Sequence, residues 1–595
     1  MSRLNNNSKP EQTKVESQFS SPSKVNNQPL EKEDIKNFHS QNEETKKQMT
    51  SFLLSQMTPE EKIGQLVMPS THDEQNLMPN ELTKKLIQKY KVGSVIIYGS
   101  SDSSSLAEYN NQLQKWAYET RLPIPLFTTT DLEYGVAQHV TDGTAFPRQM
   151  GLGATWQPAL AEKAASIIAK EARAIGFNWN YSPVADVNTN PSNPVIGVRS
   201  FSEQTSLVSD MAEAMVLGHQ SNRVMATAKH FPGHGDTEVD SHLGLAKVTY
   251  SKETLASVHL PPFQRTIDAG VDSIMTAHVI IEAIDPDLPA TLSKKVLTGL
   301  LREELGFNGI IVTDAMSMHA IQKHFGAGQA AVMAVQAGAD IVMATGSFDE
   351  QIETYETLLT AYKTGALSHE RIHHSLERIL MKKMDYQLFA DRYTSPSEAK
   401  QVTNEPSHKQ AAREIANQSI TLLRNDGALP FSNQASETTL VVGPIIYSKD
   451  THVLNIAKSI ERHTSGTVTT CLTNTDNPTE EEIKHALNQA QNVDRIIVAT
   501  FSSSSLPEGQ RKLVNALVKL DKPVVAISLG LPYDIKHFPQ VNAYLATYAL
   551  DRWGSPIDSS ILKAVDVLFG EQPGGKLSVS IDGQYPLQFG LQYNQ

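Results

Sequence analysis

From residue 58 to residue 384, short apolar runs alternate with stretches whose apolar positions recur every three or four residues. The runs at 92–98, 125–130, 177–187, 224–228, 271–276, 309–313 and 340–344 have the length and the polar boundaries of buried strands. Between them, Leu160, Ala164, Ile167, Ile168, Ala172 and Ile175 mark one face of a helix over 160–175. Seven such units predict an α/β fold, a (β/α)8 barrel of the TIM type whose eighth strand has no clear run of its own. A doubly wound open sheet is the alternative. The pattern opens with Thr58, Pro59 and Glu61, the N-cap, first-turn proline and third-position acid of a capping box. Ile63, Leu66 and Val67 then mark that helix's buried face.

Periodicity fades over 385–408, which is rich in Pro, Ser and charge and reads as a linker. A second α/β pattern occupies 409–595, with strand-like runs at 439–442, 445–447, 495–499 and 524–529 and helical stretches at 480–491 and 509–520. It predicts a smaller αβα sandwich. Before the barrel, residues 1–48 hold no Trp or Tyr and are rich in Asn, Gln, Ser, Lys and Glu, so they read as a disordered polar tail.

The candidate chemistry concentrates in residues 229–245, KHFPGHGDTEVDSHLGL, which follow directly on the run at 224–228. Chemistry in parallel α/β folds sits at the C-terminal ends of strands. Two readings of the stretch compete. In one, Asp240 accepts a hydrogen bond from the His242 imidazole, which then works as a general acid and base. In the other, His230, His234 and His242 with Asp236 or Asp240 bind a metal such as zinc. The glycines, Pro232 and Ser241 imply a flexible loop, which favours the mobile acid. Asp314 closes the run GIIVTD: it is either a helix N-cap or a carboxylate at a strand's mouth, competent to attack an anomeric carbon. Asp131, Glu133, Asp186, Lys229, His230 and His278 end other runs, a distribution that points to one shared pocket. Arg199, taken alone, reads as a surface charge.

Composition narrows the partners. A net charge of -13 over 595 residues argues against nucleic acid, and no apolar run approaches the roughly 18 to 20 residues of a membrane helix. The single cysteine, Cys471, rules out an internal disulfide framework. The opening MSRLNNNSKP lacks a signal peptide's apolar core, which predicts a cytoplasmic protein. A wall-associated exported protein whose leader is missing is the alternative.

The segments KHFPGHGDT with DSH, VTDAMSM, SPVADVNTNPSNPVIGVRSF, MTAH and PATLS together resemble the β-N-acetylglucosaminidases of glycoside hydrolase family 3, from about residue 57 to the C-terminus. The SITLLRNDGALP and LPYDI segments are similar to that family's sandwich domain. The resemblance implies a nucleophile at Asp314, an acid and base at His242 partnered by Asp240, and sugar contacts from Asp131, Arg199, Lys229 and His230, with no metal or organic cofactor. It implies exo-acting, retaining hydrolysis of terminal β-linked N-acetylglucosamine from peptidoglycan fragments, a small-molecule carbohydrate substrate. A related β-glycosidase, a glycosyl phosphorylase and a non-catalytic wall-binding protein are the rivals. Two departures stand out. Tyr134 follows Asp131 and Glu133 where the family has glycine, and Ala246 lies where it has a proline.

Overall fold

The computed structural model describes residues 32–72, 77–432, 437–446, 451–552 and 557–593. Its first domain is built on β1 (Val67–Pro69), β2 (Ser94–Ile96), β3 (Phe127–Thr130), β4 (Trp179–Asn180), β5 (Thr227–Phe231), β7 (Ser273–Thr276), β9 (Ile310–Val312) and β10 (Val342–Ala344). A short parallel ribbon of β6 (Ala246–Val248) and β8 (Val279–Ile281) hangs from its loops. Neighbouring barrel strands are parallel, joined by ladders or by the bridges Ser70↔Ile96, Trp179↔Met225, Val184↔Lys229 and Val312↔Ile341. Pairing of Val67 with Val342 closes the ring, so the sheet is a barrel and not an open doubly wound sheet.

The eighth strand is β1. The capping box at Thr58 and Glu61 forms as expected, but its helix stops at Gly64. Leu66 and Val67, whose spacing from Ile63 looks helical, belong to the turn and strand that follow. A three-residue strand this close to a helix leaves no period of its own to detect. The helix expected at 160–175 spans Pro158–Ile175 and ends at Gly176, whose φ of +97° suits a left-handed cap.

Two expectations about order are corrected. Residues 1–31 lie outside the described residues, but 32–48, read as tail, hold the helix Lys32–Lys36 and the start of Glu43–Gln56. Asn42 caps the longer helix, Leu53 and Leu54 are buried, and Lys46 reaches Asp385 at 2.6 Å. Their few apolar residues find partners in the barrel, which composition averaged over a window conceals. The supposed linker 385–408 carries Pro396–Thr403 and the first turn of Pro406–Ser419. Pro396 and Pro406 begin helices, positions where proline's missing N–H has no cost.

The second domain is a six-stranded sheet in the order β11 (Thr421–Asn425), β16 (Ala543–Ala546), β15 (Val524–Ser528), β14 (Arg495–Thr500), β12 (Thr439–Pro444), β13 (Val468–Thr473). Only β11 is antiparallel to its neighbour. Alternate residues of β14 face opposite cores: Ile496 and Val498 meet helices 480–490 and 508–517, while Ile497 and Ala499 meet helices 452–460 and 558–568. Burial on both faces explains the uninterrupted apolar runs. The two domains share a core, because Met150, Ala154 and Val198 of the barrel pack with Leu531, Tyr533 and Tyr548.

Candidate active site

A cavity of about 680 Å³ opens at the C-terminal mouth of the barrel. Asp131, Arg199, Lys229, His230, His242 and Asp314 all line it, and Asp240 stands behind His242. Six candidates therefore converge on one space, Arg199 included, although its local sequence reads as a surface charge, while Asp186, Asp236, Asp240 and His278 are not among the lining residues.

Lys229 and His230 lie in β5. The Lys229 ammonium, 2% exposed, sits 2.6 Å from Asp131 and 2.7 Å from Glu133. Arg199 grips Glu133 bidentately, with Nε at 2.9 Å and Nη2 at 2.7 Å. Two cations and two carboxylates thus neutralise one another under the cavity. Burial pushes the Glu133 carboxyl up, but Arg199 and Lys229 overcome it and hold it well below the usual carboxylate range. Glu133 is recognisable in sequence only as a polar strand end. Its structural role is to fix both cations.

Asp186, fully buried after β4, takes His230 Nδ1 at 2.8 Å and the backbone N–H of His234 at 2.7 Å. It fixes the imidazole of His230 and leaves Nε2 to meet a ligand. His234 has both ring nitrogens on hydroxyls, Thr237 and Ser241, each at 2.8 Å. With its nitrogens committed, His234 cannot converge with His230 and His242 on an ion. Among the described residues no group of three or more His, Cys, Asp or Glu side chains is disposed to hold a metal.

The loop after β5 is less free than its glycines imply. A Cβ on Gly235 would lie 1.8 Å from the Val187 carbonyl oxygen, and Gly233 has φ +130°. The glycines allow close backbone approach and a left-handed turn rather than disorder. Asn193 donates to the His234 carbonyl at 2.8 Å and Asn190 to that of Thr237 at 3.1 Å, so the loop's base is fastened. Ala246 enters the β6–β8 ribbon opposite Val279. At the loop's tip, Asp240 Oδ1 accepts from the His242 amide at 2.9 Å and shares a 2.8 Å hydrogen bond with its Nδ1. Asp240 is 5% exposed and His242 39%.

Asp314 follows β9 and accepts from the Ala315 N–H at 2.7 Å. Burial opposes its ionisation, yet His278, His230 and His242 with that amide bring it down to about 2, so it is an anion at neutral pH. Its neighbour His278 is held by Thr291 at 2.8 Å and by the Ala315 carbonyl at 3.0 Å. The second domain contributes Asp551 to the lining, where it pairs with the buried Arg148 at 3.2 Å. That guanidinium stacks 3.4 Å from the centre of the Tyr134 ring, and the ring packs with Phe431, Phe501 and Leu550 of the second domain, a wall between the two.

This geometry agrees with what the chain matches. Residues 58–381 fit the glycosyl hydrolase family 3 N-terminal domain and residues 420–593 the C-terminal domain of the same family. The chain belongs to glycoside hydrolase family 3. It is 31% identical over 521 residues to beta-hexosaminidase A of Pseudoalteromonas piscicida, covering 79% of this chain and 85% of that one. Identity is also 31% over 399 residues with a beta-N-acetylglucosaminidase/beta-glucosidase of Cellulomonas fimi, 65% of this chain and 68% of the relative. The solved family 3 beta-N-acetylglucosaminidase of Paenibacillus sp. str. FPU-7 superposes with a TM-score of 0.80 at 32% identity, over 88% of this chain and 99% of its own. The protein is a glycoside hydrolase with a barrel and a sandwich domain.

Proposed function

We propose that this glycoside hydrolase is an exo-acting, retaining β-N-acetylglucosaminidase. The observation that carries the reading is the Asp240–His242 pair, set over the same cavity as the ionised Asp314. Most retaining glycosidases use two carboxylates about 5 Å apart, one of which must be kept protonated beside the other's charge. An imidazole, ordinarily titrating near 6.5, supplies the proton without placing a second anion beside the nucleophile.

In the first step an Asp314 oxygen bonds to the anomeric carbon as the glycosidic bond breaks. The departing oxygen takes the proton from His242. Water then attacks the same carbon, gives its proton to the imidazole and releases Asp314. Lys229, Arg199, Asp131 and His230 are the proposed sugar contacts, held rigid by Glu133 and Asp186. A cavity bounded by strand ends suits a terminal sugar rather than the middle of a chain, and the named relatives support the N-acetyl sugar. Muropeptide fragments of peptidoglycan are the proposed natural substrates, from the resemblance of the sequence segments.

The test is release of nitrophenol from the β-N-acetylglucosaminide and the β-glucoside, for wild type and Asp314→Ala. Cleavage of the N-acetyl substrate alone, lost in the variant, is expected. Preference for the glucoside would overturn the sugar assignment. A sugar phosphate product in phosphate buffer would overturn hydrolysis in favour of transfer to phosphate.

A further inference from the structure

The outer side of the acid loop is not fastened by packing: Val239 and Leu243, flanking the pair, are 47% and 69% exposed. Ser241 ties the tip to His234 within the barrel at 2.8 Å, and a second hold comes from the other domain. Arg552 Nη1 lies 2.9 Å from Asp240 Oδ2, the oxygen His242 does not use, in a charge contact without the angle of a directed hydrogen bond. The same nitrogen donates to the Pro194 carbonyl at 2.9 Å, which pins the guanidinium to the barrel loop after β4. Arg552 is 33% exposed against 5% for Asp240, so the cation closes over the carboxylate from the solvent side.

We propose that Arg552 is a positioning residue for the acid, so that the Asp240–His242 pair is complete only when the second domain is docked. The inference rests on the reading of His242 as the acid. Asp240 has two oxygens and two demands on it. With Oδ2 held by Arg552, Oδ1 stays directed at the imidazole, and the carboxylate cannot rotate away from it. Burial pushes the Asp240 carboxyl up, while the His242 amide and imidazole and the Arg552 charge bring it below its usual value. The guanidinium also draws off part of the carboxylate's field. Asp314 after β9 and His278 after β7 lie within electrostatic reach of His242. Removing Arg552 frees Oδ2, so the carboxylate can turn and the imidazole loses its aim.

The experiment uses the full-length enzyme as wild type, Arg552→Gln, Asp240→Asn, the double variant and His242→Ala. It measures kcat/KM on a dinitrophenyl and an alkyl β-N-acetylglucosaminide. General acid assistance is worth about 100 to 10,000-fold in total, and Arg552→Gln is expected to forfeit about tenfold on the alkyl substrate. On dinitrophenyl, which needs little protonation, the loss is within about twofold. Arg552→Lys restores most of the rate on the alkyl substrate, and Arg552→Gln adds nothing in the Asp240→Asn background. Thermal unfolding checks each fold, and Arg552→Met, similar in length and uncharged, replaces a Gln variant that melts early. Equal losses on both substrates, no loss on either, or full additivity with Asp240→Asn would overturn the inference while a leaving-group effect in His242→Ala preserves the acid. If His242→Ala itself loses equally on both substrates, the acid assignment fails and the inference falls with it.

Discussion

The site depends on charges that lie close together and cancel. Lys229 and Arg199 are tolerable in the cavity floor because Glu133 answers both, and a buried cation left without its partner is costly. Glu133→Gln is therefore expected to lower stability by about 3 kcal/mol and to raise KM more than it lowers kcat. Denaturant unfolding and steady-state kinetics check the two parts, and an unchanged midpoint contradicts the first. Asp314 carries a pH signature. Its carboxyl is depressed from 3.8 to about 2, so the folded chain gains from its ionised form above the ordinary value. That gain disappears as pH falls from 3.8 to about 2. The stability difference between wild type and Asp314→Asn should shrink across this window, and a difference that is flat with pH contradicts the assignment. Lys229, His230 and Asp314 are legible in the sequence because each follows or ends an apolar run, and His242 because it stands two residues from Asp240 in a dense cluster of proton-transfer groups. Arg199 is legible only through the family resemblance, because its partner Glu133 lies 66 residues away and only folding brings the two together.

At the scale of elements, strands buried on both faces announce themselves by continuous apolar runs, and seven of the barrel's strands are found that way. β1 is hidden by the helix that precedes it, and the helices within 385–408 by prolines that start helices instead of ending them. Glu43–Gln56 is hidden by its charged exterior, with Leu53 fully buried inside it. Leu53→Ala is expected to cost about 2 to 5 kcal/mol in denaturant unfolding. A change below about 0.5 kcal/mol, the range of surface substitutions, would detach that helix from the domain.

At the scale of the molecule, the interface is an apolar seam crossed by charge. Met150, Ala154 and Val198 share a core with Tyr533 and Tyr548, Arg148 reaches Asp551, and Arg552 reaches Asp240. Domains joined by polar contacts alone move independently, but a packed seam couples them. Scanning calorimetry is expected to give one unfolding transition, and two resolved transitions contradict the coupling. None of this was visible in the chain, since Asp551 and Arg552 sit among residues with no local mark of function and gain it only by docking. Retaining hydrolysis through Asp314 requires that its carboxylate become covalently joined to the sugar. The most direct measurement is the intact mass after reaction with a ring-fluorinated N-acetylglucosaminyl fluoride, which slows release of such an intermediate. A gain of one fluoro sugar, mapped by peptide sequencing to Asp314, is expected. An unchanged mass in an enzyme that still consumes the reagent, or a label on another residue, would contradict it.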